Sequence, residues 1–175
     1  MGDAFKDNLL EEAMDDFGNE VLYIVYTYVK DYSLAEDITQ EVFIKAYSKM
    51  DTFRGESSLK TWIINIAVNH CKDYFKRWET RKLLITNKIN QYVKGSSKSI
   101  DSIVVEKERH SEVVEKVLEL PVKYREVLIL YYFEGLKLTE IAECLDTNIN
   151  TVKTRLVKSK KLLSKKYPTR GEYFG

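Results

Sequence analysis

Apolar positions along this chain recur at the spacing of one helix face, and no stretch alternates as a half-buried strand does. Leu22, Val25 and Val29 make the first stripe, and Lys30-Asp31-Tyr32 interrupts it. Ser33 with Glu36 three residues on reads as a capping box, each side chain satisfying a free backbone N–H of the first turn. Ile38, Val42 and Ala46 are the buried stripe of the helix so started, with Asp37, Gln40, Glu41 and Lys45 mostly on other faces. Arg54-Gly55-Glu56-Ser57 is a break, after which Ser57 or Ser58 caps a third helix. Its stripe is Leu59, Trp62, Ile63, Ile66, Ala67 and Tyr74.

From Thr86 to Lys107 the period is lost, and Lys94-Gly95-Ser96-Ser97-Lys98-Ser99 has the composition of a flexible linker. Helical spacing then returns. Val113, Val114 and Val117 share one helix, Leu120-Pro121 breaks it, and Pro121 suits the first turn of the next. Tyr124, Val127, Leu128 and Tyr131 supply that helix's stripe, and Gly135 stands where a left-handed stop belongs. Leu138, Ile141, Ala142 and Leu145 follow, then Ile149, Val152, Leu156 and Leu163. The expected fold is all-α: a helical domain over residues 1–85, a linker over 86–108, and a second helical domain over 109–170. Domains this small have marginal cores, which a partner surface can help to stabilise.

Composition narrows the class. The 175 residues are 44% hydrophobic and 31% charged, with only seven Gly and two Pro, which favours helix over a turn-rich β fold. No apolar run reaches the roughly 18 residues of a membrane span. The first residues lack the basic start and apolar core of a signal peptide, so a cytoplasmic location without membrane insertion is expected. Cys71 and Cys144 are too few for a disulfide scaffold or a zinc site. His70 and His110 fall in different domains without a ligand set, and no catalytic constellation, metal site or cofactor motif can be argued. Net charge is +1 but unevenly spread. Residues 1–50 carry four basic and eleven acidic side chains, residues 51–85 seven and four, and residues 149–170 eight and none. Such asymmetry suggests one surface for a protein partner and others for a polyanion.

The segment from Leu138 to Lys161 carries the strongest signal. A short helix ends near Leu145, a turn follows at Asp146-Thr147-Asn148, and a longer basic helix comes next. Small Ala142 stands where two helices must cross closely, and Val152 faces back into that crossing. This is the helix-turn-helix pattern, whose second helix presents its N-terminal residues to base edges in the major groove. Lys153, Thr154, Val157 and Lys158 would project there, while Arg155, Lys160, Lys161, Lys165 and Lys166 can neutralise phosphates. An αα-hairpin with a solvated basic helix is the competing arrangement, but eight cations with no acid exceed what solubility requires. In the first domain Phe53, Trp62, Tyr74, Phe75 and Trp78 lie among Arg54, Lys60, Asn69, Lys72, Lys76 and Arg77. Aromatic platforms with cations suit single-stranded nucleic acid, although Trp62 on the apolar stripe reads as core.

Taken in order, Ala35-Glu36-Asp37-Ile38-Thr39-Gln40-Glu41-Val42-Phe43, Phe53-Arg54-Gly55-Glu56-Ser57, Thr61-Trp62-Ile63, Ile66-Ala67-Val68-Asn69 and the closing helix-turn-helix resemble bacterial extracytoplasmic-function sigma factors of the sigma-70 family. The resemblance spans about residues 10 to 167. It implies a non-enzymatic protein that binds core RNA polymerase, directs it to promoters and helps to melt the DNA, serving a stress or envelope-response regulon. By position, Asp37, Gln40, Glu41 and an exposed Phe43 fall where the family docks on the β′ clamp helices. Phe53, Arg54 and Asn69 fall where a flipped base of the minus-ten element is captured, an act that needs a stacking partner and an edge-reading amide. Lys45, Lys72, Lys76 and Arg77 fall along the melted non-template strand. Asn150, Thr151, Lys153, Thr154, Arg155, Val157, Lys158 and Lys161 fall on the helix that reads the minus-thirty-five duplex, in a domain that also touches the β flap. An anti-sigma factor is a further implied partner.

The chain departs from the family's usual pattern at Lys137 and Thr154, where Ser is common, and at Asn150, where Gly is common. The bases read by a relative are therefore not carried over. The rival expectation is a stand-alone helix-turn-helix regulator that binds DNA without polymerase, for which a dimerisation or ligand domain would have to replace the linker and the acidic-then-basic helices.

Overall fold

The computed structural model describes residues 3–86 and 111–166. Backbone contacts divide the chain into two compact units, Met1–Lys98 and Ser99–Gly175. Every regular element among the described residues is helical. The interval expected to be a linker lies almost wholly outside the described residues.

The first unit holds three helices: α1 (Asp3–Val29), α2 (Tyr32–Lys49), then a 3-10 turn at Met50–Thr52, and α3 (Leu59–Thr86). Each helix packs on the other two. Helix α1 kinks at Phe17, beside Gly18, where the glycine weakens the helix. Its buried residues include Val21 and the consecutive run Ile24–Tyr28, so the expected stripe of Leu22, Val25 and Val29 caught only part of the buried surface. Helix α3 likewise buries neighbours: Ile63 and Ile64, then Ile66, Ala67, Val68 and Cys71. A helix flanked by two others has two apolar faces, and one stripe underestimates it.

Lys30 ends α1 in the left-handed conformation at φ 55°, its N–H donating to the Tyr26 carbonyl at 2.8 Å. That turn delivers Asp31 in extended form, and its Oδ1 accepts the Leu34 N–H at 3.0 Å. The cap is therefore Asp31. The expected Ser33–Glu36 box does not form, because the helix has already begun at Tyr32. Of the two candidate serines before α3, Ser58 is the cap, accepting the Thr61 N–H at 3.1 Å.

The second unit runs α4 (Ser111–Leu118), α5 (Val122–Leu128), a π-helical turn (Ile129–Phe133), α6 (Leu138–Cys144) and α7 (Ile149–Lys166). Helix α7 packs against both α5 and α6. Pro121 stands at the N-cap of α5, one residue before the first turn expected for it. Buried Arg125 donates to the Leu118 carbonyl at 2.9 Å and the Leu120 carbonyl at 3.3 Å, closing the end of α4 against α5. Val127, Leu128, Ile129 and Leu130 are all buried. Tyr131, expected on the same stripe, is 36% exposed, as is Tyr132. The wider π turn advances each residue less around the axis, and so swings Tyr131 out of register with Val127. Gly135 ends the segment at φ 68°, and the Leu136 N–H reaches the Leu130 carbonyl at 3.0 Å.

No helix among the described residues is long and apolar enough to cross a membrane, and none of their carboxylates, thiols and imidazoles cluster as a metal site would need. Both cysteines are buried, and neither forms a disulfide. Burial pushes the Cys71 thiol up to about 12. Since the unfolded thiol ionises near pH 8.5, Cys71 supports the fold fully below that pH and loses the contribution as pH rises toward 12. We expect Cys71 and Cys144 to be inert to a thiol-reactive dye at pH 8 in the native chain and to react at once in denaturant. Fast reaction of Cys71 without denaturant would show that the α3 core opens.

Candidate nucleic-acid interface

In the first unit the break before α3 positions a loop and one helix face. Gly55 turns the loop at φ 71°, which a side chain would strain. Phe53 packs on half-buried Trp62, ring centres 5.3 Å apart and tilted by 51°. Arg54 is exposed beside them. Asn69 follows Trp62 by two helical turns, about 10 Å of rise on the same face. It is exposed, as are Lys76 and Arg77, while Lys72 and Lys45 are half-buried. The structure thus puts the Phe53–Trp62 pair and Asn69 along one face rather than on one turn. His70 Nε2 meets Glu41 Oε2 at 2.7 Å and ties α3 to α2, an interaction that the sequence did not announce.

Asp37, Gln40 and Glu41 are exposed on α2 as expected. Phe43 is not: only 4% of it is accessible, so the expected exposure is corrected. At 100° per residue, Phe43 sits about 120° around the helix from Asp37, towards buried Val42 and Ala46. The apolar residue that does continue the acidic face is Ile44, 69% exposed. It follows Asp37 by seven residues, so it shares that face.

The helix-turn-helix is built as the spacing implied. Asp146 makes the turn at φ 49°, and Asn148 Oδ1 caps α7 by accepting the Thr151 N–H at 2.8 Å. Ala142 and Val152 are buried. Lys137 stands at the N-cap of α6 without a side-chain acceptor. Glu140 Oε2 accepts its backbone N–H at 2.8 Å, which supplies half of a capping box. Helix α7 buries Val152, Leu156, Ser159 and Leu163, a stripe that fixes its rotation. The opposite face presents Asn150, Lys153, Thr154, Val157, Lys158 and Lys161, all exposed, with Val157 at 69%. Thr151 is half-buried. The Thr154 hydroxyl donates to the Asn150 carbonyl at 2.8 Å, which orients it on this face. Arg155 departs from expectation. It is half-buried, and its Nη1 lies 3.3 Å from Oε1 of buried Glu126 on α5. Its charge is engaged by Glu126 inside the domain.

Known proteins match this arrangement. Residues 14–81 match Sigma-70 region 2, and residues 110–163 match Sigma-70, region 4. The chain is 34% identical over 158 residues to the RNA polymerase sigma factor SigV of Bacillus subtilis, covering 89% of each. The chain belongs to the sigma-70 family, among the extracytoplasmic-function sigma factors. A second Bacillus subtilis member, the ECF RNA polymerase sigma factor SigW, is 31% identical over 170 residues, with 93% of this chain and 88% of the relative covered. Two solved structures share the fold. The sigma factor RpoE in complex with the anti-sigma factor NepR, from Bartonella quintana, has a TM-score of 0.69 at 17% identity, covering 92% of this chain and 98% of that one. CnrH in complex with the cytosolic domain of CnrY has a TM-score of 0.64 at 16% identity, covering 94% and 91%. As a sigma factor, this protein works with RNA polymerase in promoter-directed initiation of transcription.

Within this sigma factor the Arg155–Glu126 pair should behave as structure. Arg155→Ala should destabilise the second unit by about 1–3 kcal/mol, since buried Glu126 loses a cation. Adding Glu126→Gln should restore part of the loss in urea unfolding. A variant as stable as the wild type, but weaker on DNA and with a flatter salt slope, would return Arg155 to the phosphate contacts.

Proposed function

We propose a division of labour between the two units of this sigma factor. Helix α2 docks on the β′ clamp helices of core polymerase through Asp37, Gln40 and Glu41, with Ile44 as the apolar contact beside them. Phe43 supports that face from underneath. Phe53, Arg54 and Asn69 capture and read a base of the minus-ten element, and Lys45, Lys72, Lys76 and Arg77 hold the melted non-template strand. The unit over residues 109–170 reads the minus-thirty-five duplex with Lys153, Thr154 and Val157. Asn150, Thr151, Lys158 and Lys161 flank those readers, and the same unit touches the β flap. The observation that carries this reading is the polar, cation-rich face of α7, set by its buried stripe on the opposite side.

The protein acts in the cytoplasm, where its polymerase is, in a stress or envelope-response programme. It is held in check by an anti-sigma factor. The solved complex of the sigma factor RpoE with the anti-sigma factor NepR supports that last point, since a sigma factor of this fold is bound in it.

Reversing charge at Asp37 and Glu41, or Ile44→Ala, should weaken core binding in a pull-down with the helical circular dichroism unchanged. Phe43→Ala should instead lower stability by about 3–5 kcal/mol, the usual cost of emptying a core site. Full affinity in the charge-reversed variant would remove α2 from the interface.

On DNA, Lys153→Ala should change which minus-thirty-five sequences the holoenzyme uses. Lys161→Ala should weaken all of them alike and flatten the salt slope by roughly one. A uniform loss on Lys153→Ala, with sequence preference intact, would reduce α7 to an electrostatic clamp.

A further inference from the structure

Three polar residues of α2 are assigned to docking, and only one of them is held in place. Asp37, Gln40 and Glu41 are all exposed. Among the described residues, the Asp37 and Gln40 side chains make no hydrogen bond or ion pair. Glu41 does, and its partner comes from another helix: Oε2 lies 2.7 Å from Nε2 of His70 on α3. An ionised carboxylate can only accept, so Nε2 carries the proton and donates. The two side chains are unequally exposed, His70 at 18% and Glu41 at 61%. The imidazole is therefore the fixed member, and Glu41 is held out towards solvent. One of its oxygens is engaged, while the other has no partner among the described residues.

Glu41 also stands at the centre of its face, four residues after Asp37 and three before exposed Ile44. Carboxylates four residues apart on a helix repel each other. Without its tether, Glu41 would swing away from Asp37 and sample several rotamers, and a partner would have to order it on binding. We propose that His70 is a positioning residue for polymerase docking, holding the Glu41 carboxylate beside Asp37 before the partner arrives. Two carboxylates fixed side by side suit a cation, above all a guanidinium, on the polymerase surface. The proposal rests on the reading of α2 as the docking helix. It gives α3, the helix assigned to DNA, a part in docking that acts through Glu41 alone.

The test measures binding of the full chain to core RNA polymerase, with urea unfolding of each variant alongside. His70→Ala should weaken binding roughly two- to tenfold, the cost of ordering one long side chain at an interface. His70→Gln keeps an N–H donor close to the position of Nε2 and should recover most of that loss. Glu41→Ala should weaken binding at least as much as His70→Ala. Adding His70→Ala to Glu41→Ala should cost nothing more, because His70 acts only through that carboxylate. Wild-type affinity in His70→Ala, with Asp37→Arg weakened, would overturn the proposal and leave α2 as the docking helix. Full affinity in Asp37→Arg would instead remove the docking reading on which the proposal rests. A further loss from His70→Ala in the Glu41→Ala background would overturn the positioning role. So would a loss that follows lowered stability and that His70→Gln fails to recover, since the pair would then be only a staple between α2 and α3.

Discussion

Each unit of this protein has few helices, so most of its aliphatic side chains are needed to close a core. That constraint makes the exceptions informative. Ile44 and Val157 are both 69% exposed, in units whose other aliphatic residues are mostly buried. Each lies among polar or charged residues on a helix whose opposite side is packed. A lone exposed apolar residue means little by itself. One at the centre of a charged face, on a helix already anchored, fits an interface in which polar contacts set orientation and an apolar contact adds affinity.

The anchoring is as important as the display. Helix α7 can present cations to DNA only while its rotation is fixed. Val152, Leu156, Ser159 and Leu163 fix it against the core, and Arg155 fixes it sideways through Glu126 on α5. Buried Arg125, next to Glu126, ties α5 to the end of α4 through two carbonyls. Neighbouring residues of α5 therefore organise the elements on either side of it. In the first unit, His70 and Glu41 join α3 to α2 at 2.7 Å, so the helix assigned to polymerase and the helix assigned to DNA share a direct contact.

The helices, the break before α3, the Gly135 stop and the helix-turn-helix were legible because periodicity and turn chemistry act locally. What the sequence hid depended on tertiary context. Asp31 replaced Ser33 as a cap because Lys30 took a left-handed turn that nothing in its side chain requires. Tyr131 left its stripe because a π turn shifted the register, and no residue type marks such a turn. Phe43 and Arg155 were read as surface from their positions in a motif, whereas burial follows from what packs across from them. The exposed residues Asp37, Gln40, Glu41, Asn69, Lys153 and Thr154 stand where the motif spacing set them.

The most direct measurement of the whole account is run-off transcription from a promoter library by core RNA polymerase, with and without the full chain. The account predicts that the chain selects a small subset of promoters sharing one minus-ten and one minus-thirty-five element at fixed separation, and that core polymerase alone yields none of those transcripts. A chain that binds duplex DNA specifically by itself, as a dimer, and gives core polymerase no promoter selectivity would contradict it.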